Sequence, residues 1–230
     1  MSYKTGLVLA SIAIGLGGCV TPPQAPVPLA EGSLNSQTGR LGVAMTALPK
    51  VDTEFPGAAC LLCMATAATA NSSLTAHANT LPYEDLPKLK NVVADLIRGK
   101  KVDVLVIPEN LKVDQLSDYR TAGPNTAKKD FSSLKLKYKI DKLLVIDITA
   151  LGFTRTYSAY IPTSDPKSLL RGAGYMVNLS NNTYEWYLPV VVSKGADRNW
   201  DEPPKFPALT NAYFQGLELG KDRFLEPFGK

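Results

Sequence analysis

Lys139-Ile140-Asp141-Lys142-Leu143-Leu144-Val145-Ile146-Asp147-Ile148-Thr149 contains the strongest strand signal of the chain, the apolar run from Leu143 to Thr149. One acid interrupts it. Alternation along a strand puts Asp147 on the side of Leu143 and Val145. A carboxylate buried there must be paired or have its pKa raised. Asp147 is therefore a candidate for a glycoside-cleaving carboxylate pair. The structural alternative is a strand-end Asp bonded to a backbone amide or to Arg155.

Upstream, Arg40 to Thr46 reads as a first strand ending before Leu48-Pro49. Pro56-Gly57 breaks the chain, and the Ala-, Thr- and Ser-rich stretch 58–78 reads as one helix. Leu86, Leu89, Val93, Leu96 and Ile97 recur at three- and four-residue spacing, which predicts an amphipathic helix closed by Arg98-Gly99. Val102 to Ile107 follows as a strand, completing a parallel strand–helix–strand unit with 41–46. A helical turn over 114–119 and a helix over 126–137 are expected before the central run.

Downstream, 153–161 reads as a second strand. Leu170–Leu179 and Tyr184–Val192 form a hairpin about Ser180-Asn181-Asn182-Thr183, and 206–224 forms a helix with Pro207 in its first turn. The fold class is α/β (α+β): a mixed sheet with strand–helix–strand units, then an antiparallel meander and a C-terminal helix. No solenoid repeat is present.

The N-terminal region supplies an address. Lys4 precedes the apolar run Gly6 to Leu16, and small residues end it. That pattern is a secretory signal and too short for a spanning helix. Leu16-Gly17-Gly18-Cys19 resembles the lipobox of bacterial lipoproteins. The resemblance implies cleavage before Cys19, acyl chains on that residue and, with Val20 rather than Asp following, sorting to the outer membrane, facing the periplasm. Residues 1–18 are then a signal peptide, 19–39 a Pro- and Ser-rich tether, and 40–230 a single domain. With 45% hydrophobic and 20% charged residues the chain can bury a real core, and its formal charge of +4 gives no reason to invoke nucleic acid.

Cys60 and Cys63 flank Leu61-Leu62. In an oxidising compartment the pair reads as a structural disulfide or buried thiols, with a redox centre or half a metal site as alternatives. Zinc would need two more ligands, and His77 is the only histidine. No metal or cofactor is expected, and neither a nucleotide loop nor a Gly-x-Ser-x-Gly accompanies His77. Lys128, Lys129, Lys135, Lys137 and Lys139 are the core of a basic cluster, suited to anionic headgroups or an acidic partner, or else a solvated face. Trp200, within the Pro-rich loop 193–205, is a candidate interface anchor together with Trp186, Tyr187 and Phe206, the alternative being a Trp folded back onto the domain.

Two stretches, Lys139 to Ile146 and Gly174-Tyr175-Met176-Val177-Asn178-Leu179 through Glu185-Trp186, resemble envelope lipoproteins whose α/β domain is like the N-terminal domain of TolB. Curli-secretion-type lipoproteins and penicillin-binding-protein activators belong to that group. The resemblance implies a non-catalytic binding or assembly role toward an envelope protein. Two alternatives stand beside it: a subunit of an oligomeric secretion or channel complex packing through 58–78, and a cell-wall enzyme using carboxylates around Asp147.

Overall fold

A computed structural model describes residues 23–121 and 123–229, so the signal, the lipobox and Cys19 lie outside the described residues. The run around Leu143 is the middle of the sheet. Strand β1 (Arg40–Met45) lies parallel to the first half of β4 (Lys142–Thr154), from Leu41 opposite Lys142 to Met45 opposite Ile146. β2 (Val51–Glu54) takes the same edge of β4 further on, with Val51 opposite Leu151. β3 (Asp103–Val106) is parallel to β1 on its far side. On the other edge of β4, β7 (Lys167–Asn178) and β8 (Thr183–Gly195) run as an antiparallel hairpin. The order is β3-β1-β4-β7-β8, with β2 beside β4. This is the mixed α/β sheet expected from the sequence.

Helices cover both faces. Leu144, Ile146 and Ile148 of β4 meet α3 (Leu89–Gly99) through Val93 and Ile97, and α5 (Pro207–Leu225) through Leu209, Tyr213 and Phe224. Leu143 and Val145 point to the opposite face, under Phe131 and Leu134 at the start of α4 (Ser132–Tyr138). The chain passes from β1 to β2 and then outward to β3 by way of α3, then back past β1 to β4 by way of α4. Crossovers running in opposite lateral directions stay right-handed only on opposite faces. That rule accounts for which helix covers which side.

One extra residue in β4 reverses its pattern. Ile148 pairs with Gly172 and Ala150 with Arg171, leaving Thr149 as a bulge. Before it, even-numbered side chains face α3 and α5; after it, Leu151 and Phe153 do. The strand thus buries apolar residues along its whole length while passing from β1 to β2. Gly152 (φ +128) lies where β2 crosses closest, and a Cβ there would collide with the backbone of Asp52.

Several local expectations are corrected. The segment 58–78 is two helices, α1 (Leu61–Ala70) and α2 (Ser72–Ala78), because Asn71 turns inward between them. Its amide donates to Tyr157 Oη at 2.6 Å, and its carbonyl accepts from Arg155 at 2.9 Å. The helix expected over 126–137 begins only at Ser132: the Asn182 side chain holds the carbonyls of Ala127 and Lys129 and the N–H of Phe131, and fixes that backbone as a loop. The strand expected over 153–161 is the end of β4 followed by a small hairpin, β5 (Tyr157–Ser158) and β6 (Ile161–Pro162). Residues 23–39, expected as a tether, lie against the body. Val27 exchanges both backbone hydrogen bonds with Tyr187 at 2.9 Å, and Leu34 and Thr38 are buried.

Gly152→Ala forces a side chain into a left-handed conformation against the β2 backbone. It should cost about 2–4 kcal/mol of unfolding free energy, measured by urea denaturation.

Candidate functional site

Asp147 sits on β4 just past the end of β1, at the carboxyl ends of the parallel strands, where open α/β sheets place ligands. Thr46, the residue after β1, donates its hydroxyl to Asp147 Oδ1 at 2.9 Å. Burial pushes the Asp147 carboxyl above the usual carboxylate range, and the Thr46 bond only partly opposes it.

Three tyrosine rings stand beside this carboxylate. Tyr175 of β7 and Tyr187 of β8 are cross-strand partners, stacked with centroids 6.1 Å apart. Tyr184 meets Tyr175 edge-on at 5.6 Å and Tyr187 at 5.1 Å. Tyr184 and Tyr187 are three apart in one strand, so a regular period of two would put them on opposite faces. A second bulge brings them together: Met176 pairs with Trp186 and Val177 with Tyr184, so Glu185 is the extra residue. Its carboxylate accepts from Asn178 Nδ2 at 2.8 Å and pairs with Lys142 at 2.7 Å, which holds the bulge in place. Burial and then the Asp147 charge push the Tyr187 hydroxyl up, and Tyr184 is raised to about 12, by burial first.

The rings and the carboxylate line a cleft of about 590 Å³ on the α4 side of the sheet, with Phe131, Thr126, Lys128 and Lys129 along its edges. Pro23, Gln24 and Ala25 form another edge, and Gln24 Nε2 donates to Asn125 Oδ1 at 3.3 Å. The cleft can hold a flat or apolar group against the rings while Asp147 accepts a hydrogen bond from it.

Only part of the sequence-derived site converges here. Asp147, Tyr187, Lys128 and Lys129 do. Arg155, offered as a partner for Asp147, instead binds Asn71. Trp186 is 3% exposed and packs edge-on against Phe228, away from the cleft lining. Trp200 folds back between the Phe206 ring (parallel, 6.1 Å) and the Arg155 guanidinium (4.9 Å). Trp200 and Phe206 therefore pack on the body and are not among the residues that line the cleft. The lysines are largely paired with acids: Lys129 with Asp118 (2.8 Å), Lys137 with Glu109 (3.5 Å) and Lys135 with Asp141 (3.9 Å). Lys139 is the left-handed cap of α4. His77 Nε2 meets Thr210 Oγ1 at 2.7 Å, and burial, then Lys205, hold its pKa down. Cys60 and Cys63 are disulfide-bonded at the start of α1.

Sequence reasoning missed Thr46, Tyr175 and Tyr184 as site residues. Tyr175 and Tyr184 were visible as strand aromatics, but the bulge that unites the rings leaves no mark in a hydrophobic pattern.

No family model and no curated protein matches this chain. Among solved structures, it is similar to the PelC dodecamer from Paraburkholderia phytofirmans, at 8% identity over 89% of this chain and 95% of that one (TM-score 0.35). It is also similar to protein XCC0632 from Xanthomonas campestris, at 12% identity over 90% of each chain (TM-score 0.38). A third is lipoprotein GNA1162 from Neisseria meningitidis, at 11% identity over 78% of this chain and 98% of that one (TM-score 0.29). Among the described residues no helix is long and apolar enough to cross a membrane.

The sign of the Asp147 shift gives a prediction. A raised folded-state pKa means that the stability contributed by the protonated carboxyl is complete below the ordinary carboxylate range and is lost as pH rises through the raised value. Asp147→Asn escapes that loss. Its Tm should exceed that of the parent at pH 7, and the difference should close near pH ~4. A difference independent of pH would assign the effect to packing instead.

Proposed function

We propose that this chain is a lipid-anchored, non-catalytic binding module of the bacterial outer membrane, facing the periplasm, and that the tyrosine-lined cleft receives part of an envelope protein. The observation that carries the reading is the seating of residues 23–27 at the cleft: Pro23 to Ala25 line it, and Val27 pairs with Tyr187 beneath it. From Cys19 to Pro23 the chain reaches at most ~14 Å when extended. Acylation of Cys19 would therefore hold the cleft close to the bilayer, and a partner bound there would be held at the membrane surface. A binding role suits a carboxylate whose hydrogen-bond partner is a threonine hydroxyl and whose neighbours are stacked rings. The rival reading, a subunit of an oligomeric secretion or channel complex, draws on the exposure of Leu61 and Leu62 on α1.

A photo-crosslinking residue at Tyr187, in cells producing the acylated chain, tests the reading. Discrete adducts with an envelope protein are expected, and Tyr184→Ala in the same chain should weaken them at least about tenfold, the loss of one well-packed aromatic anchor. Cys19→Ser should release the protein from the membrane fraction. A cleft that crosslinks to nothing, or adducts indifferent to Tyr184→Ala, would overturn the assignment. Ladders of self-adducts would favour the oligomer.

A further inference from the structure

Away from the cleft, the disulfide has an asymmetric setting. Cys60 is the N-cap of α1 and is exposed, while Cys63 is 3% exposed, packed with Ala58, Ala67 and Tyr157. The Cys63 N–H points at Cys60 Sγ from 2.9 Å, and the Tyr160 hydroxyl donates to the same sulfur at 3.8 Å. No acid lies in the first turn of α1. A thiolate at Cys60 would therefore gain a first-turn N–H, a hydroxyl and the positive end of the helix, with no carboxylate in that turn to oppose it.

The surface around that sulfur is apolar and, among the described residues, uncovered. Leu61 is 83% exposed, Leu62 65% and Met64 48%, and Tyr160 is half exposed with Ile161 beside it. The hairpin carrying Tyr160 is tied to the loop before Cys60: Tyr157 N–H donates to the Pro56 carbonyl at 2.8 Å, and Ala159 N–H to that of Gly57 at 3.3 Å. The reachable sulfur thus lies between two apolar rims on linked supports. The bridge also does little for the fold as a whole. It spans three residue steps and belongs to a small cluster separate from the two cores that flank the sheet.

We propose that, beyond binding at the cleft, Cys60–Cys63 is an exchangeable disulfide that oxidises, once per chain and not as a turnover catalyst, a dithiol in an apolar, extended polypeptide segment lying across Leu61, Leu62 and Met64. A thiolate of that segment attacks Cys60 Sγ. A mixed disulfide forms as the bond to Cys63 breaks, and Cys63 leaves as a thiolate that takes a proton from water. The segment's second thiol loses its proton to water and, as a thiolate, attacks its own sulfur in the mixed disulfide. Cys60 is expelled as the stabilised thiolate. The segment loses two electrons and becomes a disulfide; Cys60 and Cys63 gain them and end as thiols once Cys60 is protonated. Stabilising the Cys60 thiolate favours the reduced product, which sets this direction.

The test equilibrates the full chain with reduced and oxidised glutathione, then acid-quenches, alkylates and maps peptides by mass so that Cys19 is read apart from the pair. The pair should be reduced by millimolar glutathione with unchanged near-UV circular dichroism outside the disulfide band. Against the disulfide-linked dimer of a cysteine peptide flanked by leucines, the reduced Cys63→Ser chain should form a mixed disulfide at Cys60, releasing one peptide thiol, at least about tenfold faster than Cys60→Ser forms one at Cys63. With the parent disulfide, Leu62→Glu should slow exchange with the reduced form of that peptide and leave exchange with dithiothreitol unchanged, which separates docking from chemistry. A pair that stays oxidised in glutathione, one whose reduction unfolds the chain, or sulfurs of equal reactivity would make the bridge purely structural and overturn the proposal.

Discussion

β4 is hydrogen-bonded on both edges, to β7 along one and to β1 and then β2 along the other. Serving two partners in succession on one edge requires the strand to change course, and a straight ladder cannot do so while keeping its apolar side chains inside. The single extra residue at Thr149 resolves this. It lets Val145 and Asp147 face α4 while Leu151 and Phe153 face α3 and α5. Asp147 is the last residue on the α4 side before the reversal, so the carboxylate lies where that face runs out of helical cover. The site and the strand's change of course have one cause.

Electrostatics makes the cleft one-sided. Burial disfavours the Asp147 charge, and that charge in turn helps raise the hydroxyls of Tyr175, Tyr184 and Tyr187, so the floor holds an acceptor beside phenols that stay protonated at neutral pH. The lysines nearest to it stand at its edge, and Lys129 is already committed to Asp118. A group that donates a hydrogen bond or carries positive charge fits the floor. An anion would meet its counter-charge only at the rim, where solvent screens it.

Much of this was legible in sequence where burial dictates composition. The runs around Leu143 and Val43, the three- and four-residue spacing of α3, and Pro207 at the start of α5 all announce elements that the structure contains. β2 was not legible, because Val51-Asp52-Thr53-Glu54 is a short edge strand with mostly polar side chains. The break at Asn71 and the loop before Ser132 were hidden for another reason. Each is set by one asparagine side chain bonding across the fold, and a local propensity cannot register a partner that lies 55 or 86 residues away. Trp200 was ambiguous in sequence: a Pro-rich polar loop allows an exposed ring or one folded back, and here Arg155 and Phe206 give the ring a seat.

The two faces of the sheet are packed differently. On the side of α5, Gly216 and Gly220 bring the helix so close that a Cβ at either would press on Ser168 or Leu170 of β7, and the large apolar side chains fill the remaining space. Close packing of that kind is rich in dispersion contacts and tolerates little change. The α4 side is covered by a seven-residue helix and by loops pinned through Asn182, so it leaves room beside the sheet. A half-buried carboxylate backed by stacked rings costs stability wherever it is placed. It persists on the face whose cover is thin, because the opposite face already holds the strands in register.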